Sequence, residues 1–320
     1  MKRRRVAHPA QPEGKRMKQL IKSATIYCAE LPSANMLREH FLEDAFCDVL
    51  SLQAGGVGFV PRTDTFVWEN GVNLVEDFAG GMAFTVRVDA KIIPSSVVKA
   101  EVDRRAKLVE RDTGSKPGKK ERAEMKLEVI DSFLPHALVR STLITCYHHT
   151  ATNYLIIPTT SKKLAQQVVT LLVNSVGSVK TTTINVADAK GGLTRRLKQW
   201  VGGDLEAFGG LDPRTEVVLE QGERKVSVKM SDLASAGRAL NEALDSHFTV
   251  KSLGLSFDND VELRLTDDFK MRGIWNPCAV EEEDPEFDTF AAKAAIEVAE
   301  LTDAITFLCE MFGYQEEAKA

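Results

Sequence analysis

Apolar spacing along the chain alternates between strand-like and helical runs. A strand is predicted over residues 20–28, then a helix over 33–46 with Ser33 as its N-cap. Gly55, Gly56 and Gly58 read as a break ahead of Phe59, Val60 and Pro61. Residues 73–78 and 82–93 have the alternation of two strands about a turn at Gly80 and Gly81. Pro94, favoured as a first helical residue, opens helical spacing to Arg111, with Val98, Val102 and Val109 on one face and Arg104, Lys107 and Arg111 roughly opposite. A loop over 112–118 leads to a second helix over 119–134, ended by Pro135. Its apolar stripe reads Ala123, Leu127, Ile130 and Leu134. Lys119, Arg122 and Lys126 flank that stripe, and Glu121, Glu124, Glu128 and Asp131 lie on the far side. The two helices predict a hairpin segregated by charge sign.

Further on, residues 138–147 and 153–158 read as strands, and 161–176 as a helix burying Leu164, Val168, Leu171 and Leu172. Lys162 and Lys163 fall in its first turn, where the helix dipole disfavours cations, so an anionic partner would explain them. Helices are expected over 191–201 and 235–246, short strands over 216–230 around Gly222, and a hairpin of 250–257 with 261–266 through Asp258, Asn259 and Asp260. A last helix spans 287–311 behind an acidic run. There is no internal repeat, and the mixed order of elements makes the fold class α+β. Residues 1–16 read as a disordered basic extension ahead of a core that begins near Met17.

Charge changes this picture more than composition does. The net charge of -5 looks wrong for a nucleic-acid binder. However, residues 281–320 carry twelve acids against Lys293 and Lys319, a net -10, which leaves the first 280 residues at +5. Glu281, Glu282, Glu283, Asp284, Glu286 and Asp288 open this segment and stabilise the start of the last helix. A basic surface elsewhere is therefore compatible with the acidic total. No apolar run reaches a membrane span or a secretory signal, so a cytoplasmic protein with no membrane contact is expected. The cysteines, Cys28, Cys47, Cys146, Cys278 and Cys309, are scattered and form no CxxC, and read as free thiols.

Signatures of catalysis are sparse. The stretch 114–120 resembles a phosphate loop, but its glycine spacing is one residue short and no Ser or Thr follows the lysine. Cys146, His148 and His149 are the one cluster with metal or nucleophile chemistry. On a strand, however, the two histidines point to opposite faces, and a hydrogen-bonded strand-end histidine is the plainer reading. No enzyme activity, metal or cofactor is expected. The basic helix flanks suit phosphate neutralisation, against the plainer alternative of two solvated helices with ordinary surface charge.

Lys91-Ile92-Ile93-Pro94-Ser95-Ser96-Val97-Val98-Lys99, a charged hairpin, and then Phe133-Leu134-Pro135 with Arg140 resemble the recombination-associated RdgC family. The likeness continues in order through Leu193-Thr194, Trp200-Val201, Leu211-Asp212, Lys229, Asp232-Leu233 and the hairpin from Leu253 to Leu265. It covers residues 17–320: a central α+β part of 17–90 with 138–190, a helical finger of 91–137, and a C-terminal α+β part of 191–320 with an acidic terminal helix. The resemblance implies an elongated subunit with a protruding hairpin, closing as a ring-shaped homodimer around duplex DNA and restraining the RecA recombinase. Whether single-stranded DNA binds as well stays open. A nucleoid-associated location follows from the same resemblance.

The expected phosphate contacts are Lys99, Arg104, Lys107, Lys119, Lys120, Arg122, Lys126 and Arg140, with Lys162, Lys163 and Lys229 in second place. Phe133, His136 and Leu138 are expected at the contact that gates the ring. Leu138 stands where the family has an aromatic residue and His136 where arginine is more usual, which implies a weaker or differently packed gate. The leader 1–16 lies outside the family pattern. Two alternatives remain: an interaction protein docking on a recombinase or replication protein through its acidic C-terminal helix, and a metal-dependent nuclease using Cys146 and the neighbouring histidines.

Overall fold

The structure, a computed structural model, describes residues 19–62, 73–177, 182–183, 189–229, 233–257, 261–276 and 290–313. The leader 1–16, the turn at Asp258–Asp260 and the acidic run 281–288 lie outside these residues. The fold is α+β with antiparallel sheet throughout and seven α-helices among the described residues. Two compact units make up the chain, Ala24–Asn185 and Met1–Ser23 with Val186–Ala320.

In the Ala24–Asn185 unit the elements run β1 (Ser23–Cys28), α1 (Ala34–Glu43), β2 (Gly55–Val60), β3 (Val75–Phe78), β4 (Gly81–Ile92), α2 (Ser95–Thr113), α3 (Lys119–Phe133), β5 (Leu138–His149), β6 (Tyr154–Ile157), α4 (Lys162–Val176) and β7 (Thr182–Thr183). The sheet order is β2-β4-β5-β6-β1, with β3 also on β4 and β7 on β1. Its backbone is the ladder between β4 and β5, in register from Gly81 opposite His149 to Ile92 opposite Leu138. Because β6 pairs only with Tyr147, His148 and His149, the far half of β5 runs on past β6, paired with β4 alone, to the α2–α3 hairpin.

Alternate residues of these strands pack against α1 and α4. Phe41 stacks on Phe59 at 3.6 Å between ring centroids, and Phe84 meets Phe41 edge-on at 5.3 Å. Ala165, Val168, Val169 and Leu172 are the buried face of α4, with Leu164 and Leu171 half-covered at its margin. Ser33 occupies the N-cap position of α1, but its side chain makes no capping bond. The glycine-rich stretch expected as a break is β2, paired from Gly55 opposite Ala90 to Val60 opposite Thr85. Glycine is needed there by close approach: a Cβ on Gly55 would lie 2.4 Å from the Asp89 carbonyl oxygen, and one on Gly58 2.5 Å from Phe46 Cα.

The other unit contains α5 (Ala189–Val201), β8 (Asp212–Gln221), β9 (Arg224–Lys229), α6 (Leu233–Asp245), β10 (Thr249–Ser256), β11 (Glu262–Thr266), β12 (Met271–Trp275) and α7 (Phe290–Phe312). Its sheet runs β12-β11-β10-β8-β9. The expected hairpin is β10–β11, with Leu253 opposite Leu265. The terminal helix α7 is a core helix, burying Ala294, Val298, Leu301, Ala304, Ile305, Leu308 and Phe312. Glu297, only 3% exposed, accepts from the backbone N–H of Leu20 at 2.9 Å and of Ile21 at 2.9 Å. Gln19 Nε2 donates to the Ile274 carbonyl at 3.0 Å, and Ile274 N–H donates to Lys22 O at 3.0 Å, so residues 19–22 are strapped to both α7 and β12. Burial pushes the Glu297 carboxyl above its usual range, against the pull of the two N–H donors.

Glu297→Ala leaves two backbone N–H groups of Leu20 and Ile21 without their acceptor, so urea denaturation is expected to show a loss of about 3 kcal/mol. His148 sets a pH dependence. Its ring is 1% exposed, with Nε2 against the Ala29 carbonyl at 2.9 Å and Nδ1 without a partner among the described residues. Desolvation is the main reason its pKa is lowered. The unfolded chain therefore takes up the proton first, and stability present above pH of about 6.5 is lost as pH falls through that value toward the folded pKa. Melting temperatures followed from pH 7.5 to 5.5 should fall in the wild-type protein and fall less in His148→Gln.

Candidate nucleic-acid interface

The hairpin owes its shape to a small apolar seam. Val98 and Val102 of α2 meet Val129 of α3, with Ile93, Met125, Ile130 and Phe133 partly buried around them. The buried face of α3 is therefore rotated from the expected stripe: Val129 is fully covered, whereas Leu127 is 64% exposed. Apolar residues at positions 125, 127, 129 and 130 spread over more than half of the helix circumference, so spacing alone does not select the buried face. Pro94 is the N-cap of α2 and its carbonyl accepts from Val97 N–H at 3.0 Å. At the tip, Gly114 closes α2 with φ 76°, its N–H bonded to Glu110 O at 2.9 Å, and Glu121 accepts from Gly118 N–H at 2.8 Å.

Between the two helices lies a groove of about 560 Å³. Ser95, Ser96 and Lys99 line it from α2, and Lys119, Arg122 and Lys126 from α3, over Val98, Val102 and Ala123. Four of the expected phosphate contacts thus share one surface. The hydroxyls of Ser95 and Ser96, and Asp103 beside the groove, were not singled out by charge counting. Two small polar residues directly after a proline at a helix start were the available signal.

The arginines and lysines of the hairpin behave differently. Arg104 is held by Glu101 at 2.7 Å and comes about 140° round the helix from Lys99, outside the groove lining. Arg105 bonds Glu101 at 3.0 Å and Glu128 at 3.6 Å. Hydrogen bonds from Arg104 and Arg105 hold the Glu101 carboxyl down to about 2. Arg111 pairs with Asp112 at 3.1 Å, and Arg122 donates to Asp103. Lys99, Lys107, Lys119, Lys120 and Lys126 are exposed, and among the described residues none has an ion-pair partner.

The remaining expected contacts are spread out. Arg140 is exposed on β5 opposite Ala90, and Lys162 and Lys163 are exposed in the first turn of α4. Lys229 lies on β9 of the other unit, paired with Glu216 in the ladder. Of the expected gate residues, Phe133 packs on the hairpin seam and His136 is exposed. Leu138 is 78% exposed beside Ile92, itself 47% exposed.

Cys146, His148 and His149 do not converge. Cys146 is buried with its thiol pushed up by desolvation, and His148 faces the core. His149 bonds Thr152 Oγ1 at 2.9 Å. Among the described residues no group of three or more His, Cys, Asp or Glu could hold a metal ion, and no helix is long and apolar enough to cross a membrane.

The profile of the RdgC family, described as "Putative exonuclease, RdgC", matches residues 20–315. The chain belongs to the RdgC family. Proteins named "Recombination-associated protein RdgC" are similar to it. That of Halorhodospira halophila is 26% identical over 278 residues, 84% of this chain and 88% of the relative. That of Pseudoalteromonas atlantica is 26% identical over 258 residues, 76% and 82% of the two chains. That of Neisseria meningitidis serogroup C is 23% identical over 251 residues, 77% and 79%. The RdgC profile takes in the whole hairpin and both units, so the groove sits within the family region and not in an appended segment.

The seam can be tested directly. Val129→Ala is expected to destabilise the hairpin by about 1–3 kcal/mol, whereas Leu127→Ala leaves stability within about 0.5 kcal/mol. Hydrogen exchange of the α2 and α3 amides checks both.

Proposed function

We propose that this recombination-associated protein holds DNA by its phosphates, without reading sequence, through the cation-lined groove of the α2–α3 hairpin. The observation that carries the reading is the convergence of Lys99, Lys119, Arg122 and Lys126 on one groove beside Ser95 and Ser96. Lysines without carboxylate partners are ready to displace counterions from a phosphate backbone, which gives affinity that depends on salt and not on base identity. Lys107, Lys120 and Arg140 extend the basic surface. In the family reading two copies close a ring on duplex DNA near Leu138 and oppose RecA by occupying its substrate. The exposed Leu138 and Ile92 pair is an apolar spot suited to such a contact.

Fluorescence anisotropy of a labelled random-sequence duplex tests this. The wild-type protein is expected to bind, with affinity falling steeply as salt rises. Lys119→Glu/Arg122→Glu/Lys126→Glu should weaken binding by at least about tenfold at low salt, while Arg104→Gln changes it little. A folded wild-type protein that shows no binding at low salt would overturn the reading. Sedimentation of wild-type protein and Leu138→Asp tests the dimer.

The wording of the family profile supplies a second reading, an exonuclease. End-labelled DNA incubated with the protein and Mg²⁺ or Mn²⁺ decides it, because progressive shortening would establish nuclease activity. Docking through the acidic C-terminal segment is better tested by Glu281→Gln/Glu282→Gln/Glu283→Gln than by deletion. Removing residues 281–320 would take out the core helix α7 and the Glu297 strap.

A further inference from the structure

One cation of the groove differs from the others. Arg122 reaches across from α3 and donates through Nη2 to Oδ1 of Asp103 on α2. Their side chains are 43% and 41% exposed, so solvent and ions have access to the pair. Surface pairs of this kind are weak, and a phosphate is at least as good an acceptor for a guanidinium as a carboxylate is. The three groove lysines have no comparable partner among the described residues.

We propose that Asp103 is a built-in competitor for the phosphate that Arg122 would hold, setting the strength and salt dependence of the hairpin's grip. This inference rests on the DNA reading of the groove. In the free protein Arg122 is engaged by Asp103. When a phosphate arrives, Arg122 exchanges one anion for another, and the vacated Asp103 carboxylate takes up a cation from solution. One counterion leaves the DNA and one is bound by the protein, so this contact adds almost nothing to the net ion release that drives association. Lys99, Lys119 and Lys126 contribute in full, and Arg122 supplies geometry with little affinity. The four-cation groove thus grips as three would, which suits a protein that holds DNA without choosing a site.

The experiment compares wild type, Asp103→Asn, Arg122→Gln and the double variant by anisotropy on a random-sequence duplex over a range of salt, with circular dichroism melts to confirm folding. Asp103→Asn is expected to tighten binding several-fold at low salt and to steepen the slope of log K against log salt by about 0.9. Arg122→Gln should leave the slope near that of the wild type. Adding Asp103→Asn to Arg122→Gln should not change the slope. Equal tightening in both backgrounds would show Asp103 acting only as a general negative charge and would overturn the exchange. Weaker binding by a folded Asp103→Asn would also overturn it, by showing that the pair props the groove open. If wild-type protein does not bind DNA, the DNA reading falls on its own, and the exchange is read on immobilised heparin. There Asp103→Asn must elute at higher salt than wild type only when Arg122 is present; identical elution overturns it.

Discussion

The ladder between β4 and β5 is the constraint on which the rest of the Ala24–Asn185 unit depends. Its register fixes which side chains enter the core at one end and where the hairpin stands at the other. A one-residue slip would turn Phe84 and Cys146 outward and bring Arg87 and Thr145 inward. Thr85 and Thr145, 3.0 Å apart across the ladder, are a polar pair that only the observed register brings together, whereas Asp89 is bound at 2.8 Å by Arg87 of its own strand. As the strands leave the cover of β6, burial falls and Leu138, Val139, Arg140, Ser141 and Leu143 become exposed. The hairpin is carried on backbone hydrogen bonds there, more than on a core of its own.

Most of this organisation was legible in the sequence where one physical signal acted alone. Long period-two runs marked β4 and β5, and a proline followed by helical spacing marked α2. A pair of apolar strands about a polar turn marked β10 and β11. Legibility failed where two signals competed. In β2 the glycines that suggested a break are required by the close approach of Asp89 and Phe46, a tertiary fact invisible to local reading. In α3, an apolar arc broader than one buried face left the face undecided until Val98 and Val102 selected Val129. The five-residue β12, with Gly273 at φ 57°, is too short and irregular to give a period.

The candidate interface was partly legible for a related reason. Counting cations found the hairpin, but could not separate a lysine in solvent from an arginine engaged by a neighbour. Arg104 and Lys99 look alike in a count of charges; they differ in helix face and in Glu101, three residues before Arg104, which takes both Arg104 and Arg105. Acids between the basic residues therefore sort them into structural and available groups. The arginines brace the hairpin and the lysines remain open to solvent, in keeping with the planar, bidentate geometry of one and the flexible point charge of the other.

Strapping residues 19–22 to Glu297 and Ile274 has a consequence for how the protein is made. These are the first described residues of the chain, and their partners lie 252 to 277 positions later. On a ribosome adding about 5–20 residues per second, the strap must wait some tens of seconds for its partner strand and helix to emerge. All the strands of the Ala24–Asn185 unit have been synthesised by Thr183, long before α7 exists. That unit is therefore free to fold early, while residues 19–22 stay unfastened until the opening turns of α7, which carry Glu297, have been made. A chain truncated before α7 would carry a complete hairpin on a protein whose other unit had never been fastened.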